Sequence, residues 1–263
     1  MLALPRVAGK DDAAAMTGTR DLWWSPWREV EGAVVLHVDL APDGGREAAA
    51  VALLDDAERA RRRRFLSVRA RREFALCRAA LRVSLSERLG CAHRELSFDR
   101  LEHGKPVARV AGRQAGTGFT GFNVSHSGRH GLIAIGGSGC LGVDLEERVP
   151  ERDLVGIGGL VYGPAERLLL ENAAGPERVH LFYRLWSMKE ALIKALGTGF
   201  SLSPTGFQVP APMLRGARSG VFRFPHLPSQ SWRLLDLGEP RFAAALAYRL
   251  PSSPGPGSTR PGR

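Results

Sequence analysis

Apolar residues in the first half of the chain follow the two periods of regular secondary structure. Residues 33–40 are predicted to form a strand, and residues 53–64 begin a helical stretch that is rich in arginine. A second helix is predicted after it, because apolar residues recur at three- and four-residue spacing and Gly90 is a natural stop. These apolar residues are Phe74, Cys77, Leu81, Leu85 and Leu89.

A β-hairpin is predicted near the centre of the chain. Residues 121–126 are extended, and two short runs of alternating apolar residues follow at 132–135 and 141–146. The segment that joins these two runs, 136–139, is Gly-Gly-Ser-Gly, which is prone to turn. Two alternating runs on either side of such a turn are typical of a hairpin.

The second half of the chain predicts helices first and strands afterwards. A Gly-rich loop precedes a helix near Pro164–Asn172, and a long helix runs from about Glu177 to Leu196 and ends at Gly197. Three later alternating runs predict a second sheet. They are 221–224, 232–237 and 242–248.

Strands and helices therefore occur in both halves, which indicates an α+β fold made of two similar units. We expect an N-terminal half at 23–137 and a C-terminal half at 138–250. Each half is predicted to pack helices on a small, mainly antiparallel sheet. The ends, 1–22 and 251–263, are predicted to be disordered because they lack a regular apolar pattern.

Composition restricts the possible classes of binding partner more than it restricts the possible folds. The formal net charge is +10, which favours polyanions such as nucleic acid, a phosphorylated cofactor or an acidic protein. Lysine is rare, and three of the four lysines lie in the motifs below; they are Lys105, Lys189 and Lys194. No apolar run approaches the ~20 residues of a membrane span, and the N-terminal residues lack the basic-then-apolar order of a secretory signal, so neither feature is expected. The three cysteines form no C-x-x-C pair, so a reducing, intracellular compartment is expected.

Two acidic residues occur in the predicted strand Gly142-Val143-Asp144-Leu145-Glu146. Alternate residues of a strand share a face, so Asp144 and Glu146 project together while Val143 and Leu145 point into the core. Adjacent carboxylates repel unless a cation joins them, and hard divalent ions prefer oxygen ligands. The alternative is a solvated polar face of an edge strand.

The long helix carries a second set of polar residues. At 100° per residue, Tyr183, Trp186, Glu190 and Lys194 lie opposite an apolar stripe, which makes Glu190 and Lys194 neighbours. One interpretation is an exposed i,i+4 ion pair. Two large aromatic rings on the same face indicate instead that this face is covered, as it would be in a cleft between two halves.

Other polar segments allow more than one interpretation. Ser125, His126 and Ser127 could bind phosphate oxygens or form an ordinary polar turn. Residues 116–121 match G-x-G-x-x-G, but the strand and helix that a dinucleotide site requires are not predicted around them. A Ser/His/Asp hydrolase is not supported either, because G-x-S-x-G is absent near these serines.

Four motifs, taken together and in order, resemble the phosphopantetheinyl transferases of the Sfp type. They are GKP (104–106), FNVSHSG (122–128), GVDLE (142–146) and WSMKEALIKALGTGFSL (186–202), within a resemblance that covers roughly residues 33–248. The resemblance implies two similar α+β halves with coenzyme A in the cleft between them. It also implies transfer of the phosphopantetheine arm of coenzyme A to a serine of an apo acyl or peptidyl carrier protein.

The resemblance assigns roles to particular residues. Asp144, Glu146 and Glu190 would hold Mg²⁺, and Lys194 would contact the pyrophosphate of coenzyme A; Asp144, Glu190 and Lys194 form the catalytic set. Glu190 is also the best candidate for the base that takes the proton of the carrier serine. The other implied cofactor-binding residues are Lys105, Pro106, Ser125 and His126, together with Arg61, Arg64 and Arg72.

One position departs from the family pattern. Some members have a further basic residue three positions before Arg61, and this chain has Glu58 there, with Arg59 as a nearby substitute. The implied enzyme would be a cytoplasmic monomer without nucleic-acid or membrane partners. It would serve carriers of fatty acid, polyketide or nonribosomal peptide synthesis. The alternatives are a basic nucleic-acid-binding protein and a homologue that binds coenzyme A and a carrier without turnover.

Overall fold

The computed structural model describes residues 22–100, 104–113, 121–136, 140–150, 153–197 and 202–251. Within these ranges the chain forms ten strands and seven α-helices. The strands are β1 (Trp24–Val30), β2 (Ala33–Asp39), β3 (Leu96–Arg100), β4 (Pro106–Val110), β5 (Phe122–Ser127), β6 (His130–Gly136), β7 (Leu141–Glu147), β8 (Ser219–Phe222), β9 (Trp232–Asp236) and β10 (Phe242–Arg249). The helices are α1 (Gly44–Leu53), α2 (Asp56–Arg63), α3 (Val68–Leu89), α4 (Leu154–Val161), α5 (Pro164–Asn172), α6 (Gly175–Leu196) and α7 (Ala211–Leu214).

Two four-stranded antiparallel sheets form the centre of the molecule. The strand order is β1-β2-β6-β5 in the N-terminal half and β7-β10-β9-β8 in the C-terminal half. Strands β3 and β4 pair separately as a two-stranded sheet. The predicted α+β fold of two similar halves is therefore confirmed.

Alternation along the strands explains how the layers stack. On β2 and β6, Val35 and Leu132 face the second sheet, whereas their neighbours Leu36 and Ile133 face the core under α3. On β10, alternate residues likewise divide between the sheet interface and the core under α6. Since both faces of the inner strands β2, β6 and β10 are buried, the molecule is a helix–sheet–sheet–helix stack.

The two long helices are capped as their sequences predict. Helix α3 starts at the N-cap Ser67, whose side chain accepts from the amide of Ala70, and it ends at Gly90 with φ 60°. Helix α6 ends at Gly197 with φ 81°. Glycine adopts this left-handed conformation without the steric penalty that other residues meet, so both predicted ends are confirmed.

The predicted central hairpin is wrong. Strand β6 pairs with β2 on one side and β5 on the other, and β7 pairs with β10 in the second sheet. Because both edges of β6 are already paired, it has no edge left for β7. The hairpin at this place is β5–β6, which turns at Gly128 with φ 60° and Arg129. Residues 137–139 of the predicted turn lie outside the described residues.

Three further predictions are incomplete or lie outside the described ranges. The predicted Gly-rich loop contains helix α4, and β1, β3 and β4 were not predicted. Apart from Leu22 and Pro251, the ends predicted to be disordered are not described, and neither are residues 116–120 of the G-x-G-x-x-G segment. None of the described helices has the length and hydropathy required to cross a lipid bilayer.

Candidate active site

Asp144 and Glu146 of β7 share the face that is turned toward α6. Val143 and Leu145 are completely buried in the sheet interface, while Asp144 and Glu146 contact side chains of α6. A Cβ atom on Gly142 would lie 2.2 Å from the carbonyl oxygen of Ala191, which shows how closely α6 crosses β7. The predicted common face of the acidic pair is confirmed.

Asp144 is the centre of a buried network of polar groups. Its Oδ1 accepts hydrogen bonds from Ser125 Oγ at 2.9 Å and from Lys194 Nζ at 2.6 Å. The same ammonium donates to Ser125 Oγ at 3.0 Å. Asp144 Oδ2 is buried without a hydrogen-bond partner. An unsatisfied carboxylate oxygen in a buried site is unfavourable, so Asp144 retains a place for one more electropositive group.

Glu146 is fixed by two neutral donors. Trp186 Nε1 donates to its Oε1 at 3.1 Å, and Ser127 Oγ donates to its Oε2 at 2.9 Å. Burial raises the pKa of Glu146, and the negative charge of Asp144 raises it further. The indole of Trp186 thus explains why an aromatic ring lies on the polar side of α6.

Glu190 of α6 belongs to the same charged cluster. Burial raises its pKa most, followed by the charge of Asp144, while Lys194 lowers it. The ion pair that forms is Lys194 with Asp144 and not the i,i+4 pair with Glu190. The described residues contain no group of three or more His, Cys, Asp or Glu side chains already arranged to hold a metal ion.

Strand β5 connects the two sheets through one of its faces. Asn123 Oδ1 accepts from the amide of Val143 at 3.0 Å, and Ser127 Oγ accepts from the amide of Glu147 at 3.2 Å. His126 projects in the other direction, where its Nδ1 lies 3.6 Å from Glu73 Oε2 on α3. The structure therefore separates His126 from the serines that flank it.

Lys105 supports the end of α6. Its Nζ donates to the carbonyl oxygens of Leu141 at 3.3 Å, Lys194 at 3.2 Å and Ala195 at 3.3 Å. A cation is favourable at the negative C-terminal end of a helix. Burial lowers the pKa of Lys105. Pro106, the next residue, begins β4.

The three arginines that the resemblance assigns to the cofactor differ in their surroundings. The Arg61 guanidinium lies 5.2 Å from the ring centre of Phe74. Arg64 is exposed at the C-cap of α2. Arg72 Nε donates to the carbonyl oxygen of Leu40 at 3.0 Å, so it joins α3 to the end of β2.

The departure at Glu58 has a structural cause. Glu58 completes a capping box with Asp55 at the start of α2, and its Oε2 accepts from the fully buried Arg82 at 2.7 Å. Its carboxylate is therefore an internal counter-charge. Arg59 is also engaged, since it pairs with Asp56 at 2.9 Å.

Three features of this region were not predicted from the sequence. They are the contacts of Glu73, those of Asn123, and the hydrogen bond that Trp186 donates to Glu146. Asn123 lies inside the FNVSHSG motif. Its side-chain oxygen has the amide of Val143 as a partner only because β5 and β7 lie side by side at the edges of the two sheets. The available signal for Glu73 was its i,i+4 spacing from Arg69, with which it forms an ion pair at 2.6 Å.

Comparisons with known families agree with this geometry. A family model described as 4'-phosphopantetheinyl transferase superfamily matches residues 140–247. A second model, described as 4'-phosphopantetheinyl transferase, N-terminal, matches residues 41–137. Together the two models cover most of the chain, one in each half.

Individual relatives carry the same description. The chain is 35% identical to the 4'-phosphopantetheinyl transferase HetI of Nostoc sp. over 57% of this chain and 62% of HetI. It is 33% identical to 4'-phosphopantetheinyl transferase Sfp of Bacillus subtilis over 44% of this chain and 47% of Sfp. A phosphopantetheinyl transferase of Thraustochytrium sp. is 29% identical over 82% of this chain and 81% of that protein.

Two of the relatives are matched over only part of their length. The chain spans about three fifths of a protein of Synechocystis sp. and of HetI of Nostoc sp.. The matched models, the relatives and the two-halved α+β fold nevertheless agree with the four motifs. This chain belongs to the 4'-phosphopantetheinyl transferase superfamily, in which the Sfp-type enzymes are included.

Proposed function

We propose that this protein transfers the 4'-phosphopantetheine group from coenzyme A to a serine of an apo acyl or peptidyl carrier protein. The observation that carries the proposal is the contact of Asp144 with Lys194, and of Glu146 with Trp186, where β7 and α6 cross, with Glu190 four residues before Lys194 on the same helix. Family membership supplies the reaction, and this cluster supplies the groups that the reaction requires.

The side chains present fit a magnesium ion. Asp144, Glu146 and Glu190 offer carboxylate oxygens, which are the ligands that Mg²⁺ prefers. The buried Oδ2 of Asp144 lacks a partner, and burial raises the pKa values of Glu146 and Glu190, with the charge of Asp144 raising them further. A cation bound by these residues would remove both penalties and stabilise the charge that develops on the leaving group.

The chain's own residues would then act on the substrate. Lys194 would contact the pyrophosphate of coenzyme A, where its positive charge stabilises the departing oxygen. The oxygen of the carrier serine forms a bond to the β-phosphorus as the bond from that phosphorus to the bridging oxygen breaks. Adenosine 3',5'-bisphosphate leaves, and Glu190 accepts the hydroxyl proton.

The net charge of +10 suits both proposed substrates, the polyphosphate cofactor and a carrier with an acidic surface. The proposal includes carriers of fatty acid, polyketide or nonribosomal peptide synthesis, a monomeric state and a cytoplasmic location. Neither the family models nor the named relatives favour the nucleic-acid-binding alternative.

The direct test is incubation with coenzyme A, Mg²⁺ and a panel of apo carriers, followed by mass spectrometry. We expect the mass of a carrier to increase by that of the phosphopantetheine arm. Glu190→Ala should reduce the rate by at least ~100-fold, as expected for loss of a metal ligand and base. Glu177→Ala, in the first turn of the same helix, is the matched control.

Two results would count against the proposal. Unchanged transfer by a folded Glu190→Ala variant would remove Glu190 from the mechanism. Binding of coenzyme A and a carrier by the wild-type protein without any mass increase, across the whole panel, would favour the non-catalytic homologue.

A further inference from the structure

The two faces of β5 serve different parts of the molecule. Ser125 and Ser127 reach the carboxylates of β7, whereas His126 lies against α3 with its side chain 45% exposed. The imidazole is thus accessible to a ligand on one side and supported by protein on the other. The family resemblance places this residue at the phosphates of coenzyme A, but it does not explain what supports the ring.

Glu73 lies directly behind the imidazole. It is 7% exposed, and its Oε1 accepts from Arg69 Nε at 2.6 Å. The other oxygen, Oε2, is 3.6 Å from His126 Nδ1. This separation is longer than a hydrogen bond, and the two groups form an ion pair only when the imidazole is protonated. Nε2 is the other nitrogen of this partly exposed ring.

The charges around the ring oppose one another. Arg69 on α3 and Lys194 on α6 favour the neutral imidazole, as does burial, which lowers the pKa of His126 most. Glu73 is the carboxylate that acts in the opposite direction. Phosphate binding requires a donor at Nε2 and is strengthened by positive charge, because charge-assisted hydrogen bonds are the stronger ones. Without Glu73, the imidazole would be held less firmly and would carry a positive charge less often, so it would bind a phosphate more weakly.

We propose that Glu73 is a positioning residue for coenzyme A: its carboxylate faces Nδ1 of His126 and stabilises the doubly protonated ring, so that Nε2–H donates to a phosphate group once the cofactor binds. This inference rests on the proposed function, in which coenzyme A is the substrate. Glu73 itself does not contact the cofactor. It acts through the ring that it supports.

The test compares Glu73→Gln, which has nearly the same shape and no charge, with the wild-type protein. We expect the dissociation constant of coenzyme A, measured by calorimetry at pH 7, to rise by roughly tenfold, as for one charge-assisted hydrogen bond. The pKa of His126, measured from its imidazole NMR signal, should fall. Glu73→Asp keeps the charge and should recover part of the affinity.

A matched control is available on the same helix. Glu87 is exposed and lies 14 residues further along α3, or about 21 Å along its axis. Glu87→Gln removes the same charge and should change neither the affinity for coenzyme A nor the His126 titration. Thermal melting of both variants identifies any general loss of stability.

The double variant Glu73→Gln/His126→Ala separates positioning from other effects. If Glu73 acts through His126, it should bind coenzyme A no more weakly than His126→Ala alone. A further tenfold loss in the double variant, or an unchanged His126 titration in Glu73→Gln, would overturn the inference. If His126→Ala leaves the affinity for coenzyme A unchanged while carrier transfer continues, this inference fails and the proposed function stands.

Discussion

Replacing Lys189 by methionine is expected to destabilise the C-terminal half of the protein severely. Lys189 is 1% exposed, and its Nζ pairs with Glu166 Oε2 at 2.8 Å. It also donates to the carbonyl oxygens of Pro204 at 2.8 Å and Phe207 at 2.6 Å. This single ammonium therefore links α6, the start of α5 and the segment that leads to β8.

The expected magnitude follows from what the substitution leaves behind. Glu166 is completely buried, and its remaining donors are the backbone amides of Gly163 and Val209, both at 2.8 Å. Removal of one partner from a buried ion pair typically costs ~3–5 kcal/mol, because the other charge stays buried without compensation. For a protein of this size, that corresponds to a fall in Tm of roughly 6–20 °C.

Urea unfolding followed by circular dichroism measures this cost. The variant Lys189→Met/Glu166→Gln removes both charges and should recover a large part of the lost free energy of unfolding. If Lys189→Met alone were within ~1 kcal/mol of the wild-type protein, the uncompensated charge of Glu166 would not be the destabilising factor. If the double variant were no more stable than the single one, the same conclusion would follow.

Three further substitutions test other parts of the structure. Gly142→Ala should destabilise the protein by ~1–3 kcal/mol in urea unfolding and reduce carrier transfer, because the new methyl group would meet the backbone of Ala191 at 2.2 Å. Burial lowers the pKa of His37 to about 4 from 6.5, so the folded state binds fewer protons and loses stability as pH falls from 6.5 toward 4. His37→Gln should remove ~1–3 kcal/mol of that pH dependence in urea unfolding at pH 4.5 and 7. Lys105→Met should lower kcat more than it raises KM for coenzyme A, and a change in KM alone would indicate direct contact with the cofactor.

The parts of the site that depend on local periodicity could be predicted from the sequence. The period of two in β7 places Asp144 and Glu146 on one face, and the structure confirms it. The period of 3.6 in α6 places Glu190 and Lys194 on the opposite side from the core stripe. That the two elements meet could not be derived from either period, and only the resemblance to a family supplied it.

The parts that depend on strand pairing could not be predicted. A glycine-rich segment beside two alternating runs satisfies every local rule for a hairpin, yet β6 and β7 lie in different sheets. Local turn residues allow a hairpin, but burial decides which edges pair. Helix α4 is a second case in which local residues misled: its glycines predicted a loop, although the chain there is helical.

Long-range contacts of charged groups explain why lysine is retained in an arginine-rich chain. Lys194 is held at both ends: its ammonium binds Asp144 at 2.6 Å, and its carbonyl oxygen accepts from Lys105 at 3.2 Å. Lys105 precedes β4 in the N-terminal half, so the position of a residue on α6 depends on a contact from the other half. An ammonium approaches several carbonyl oxygens from one point, as Lys105 and Lys189 both do, whereas a planar guanidinium requires acceptors spread over a wider arc. The geometry of these contacts, and not charge alone, therefore requires lysine at these positions.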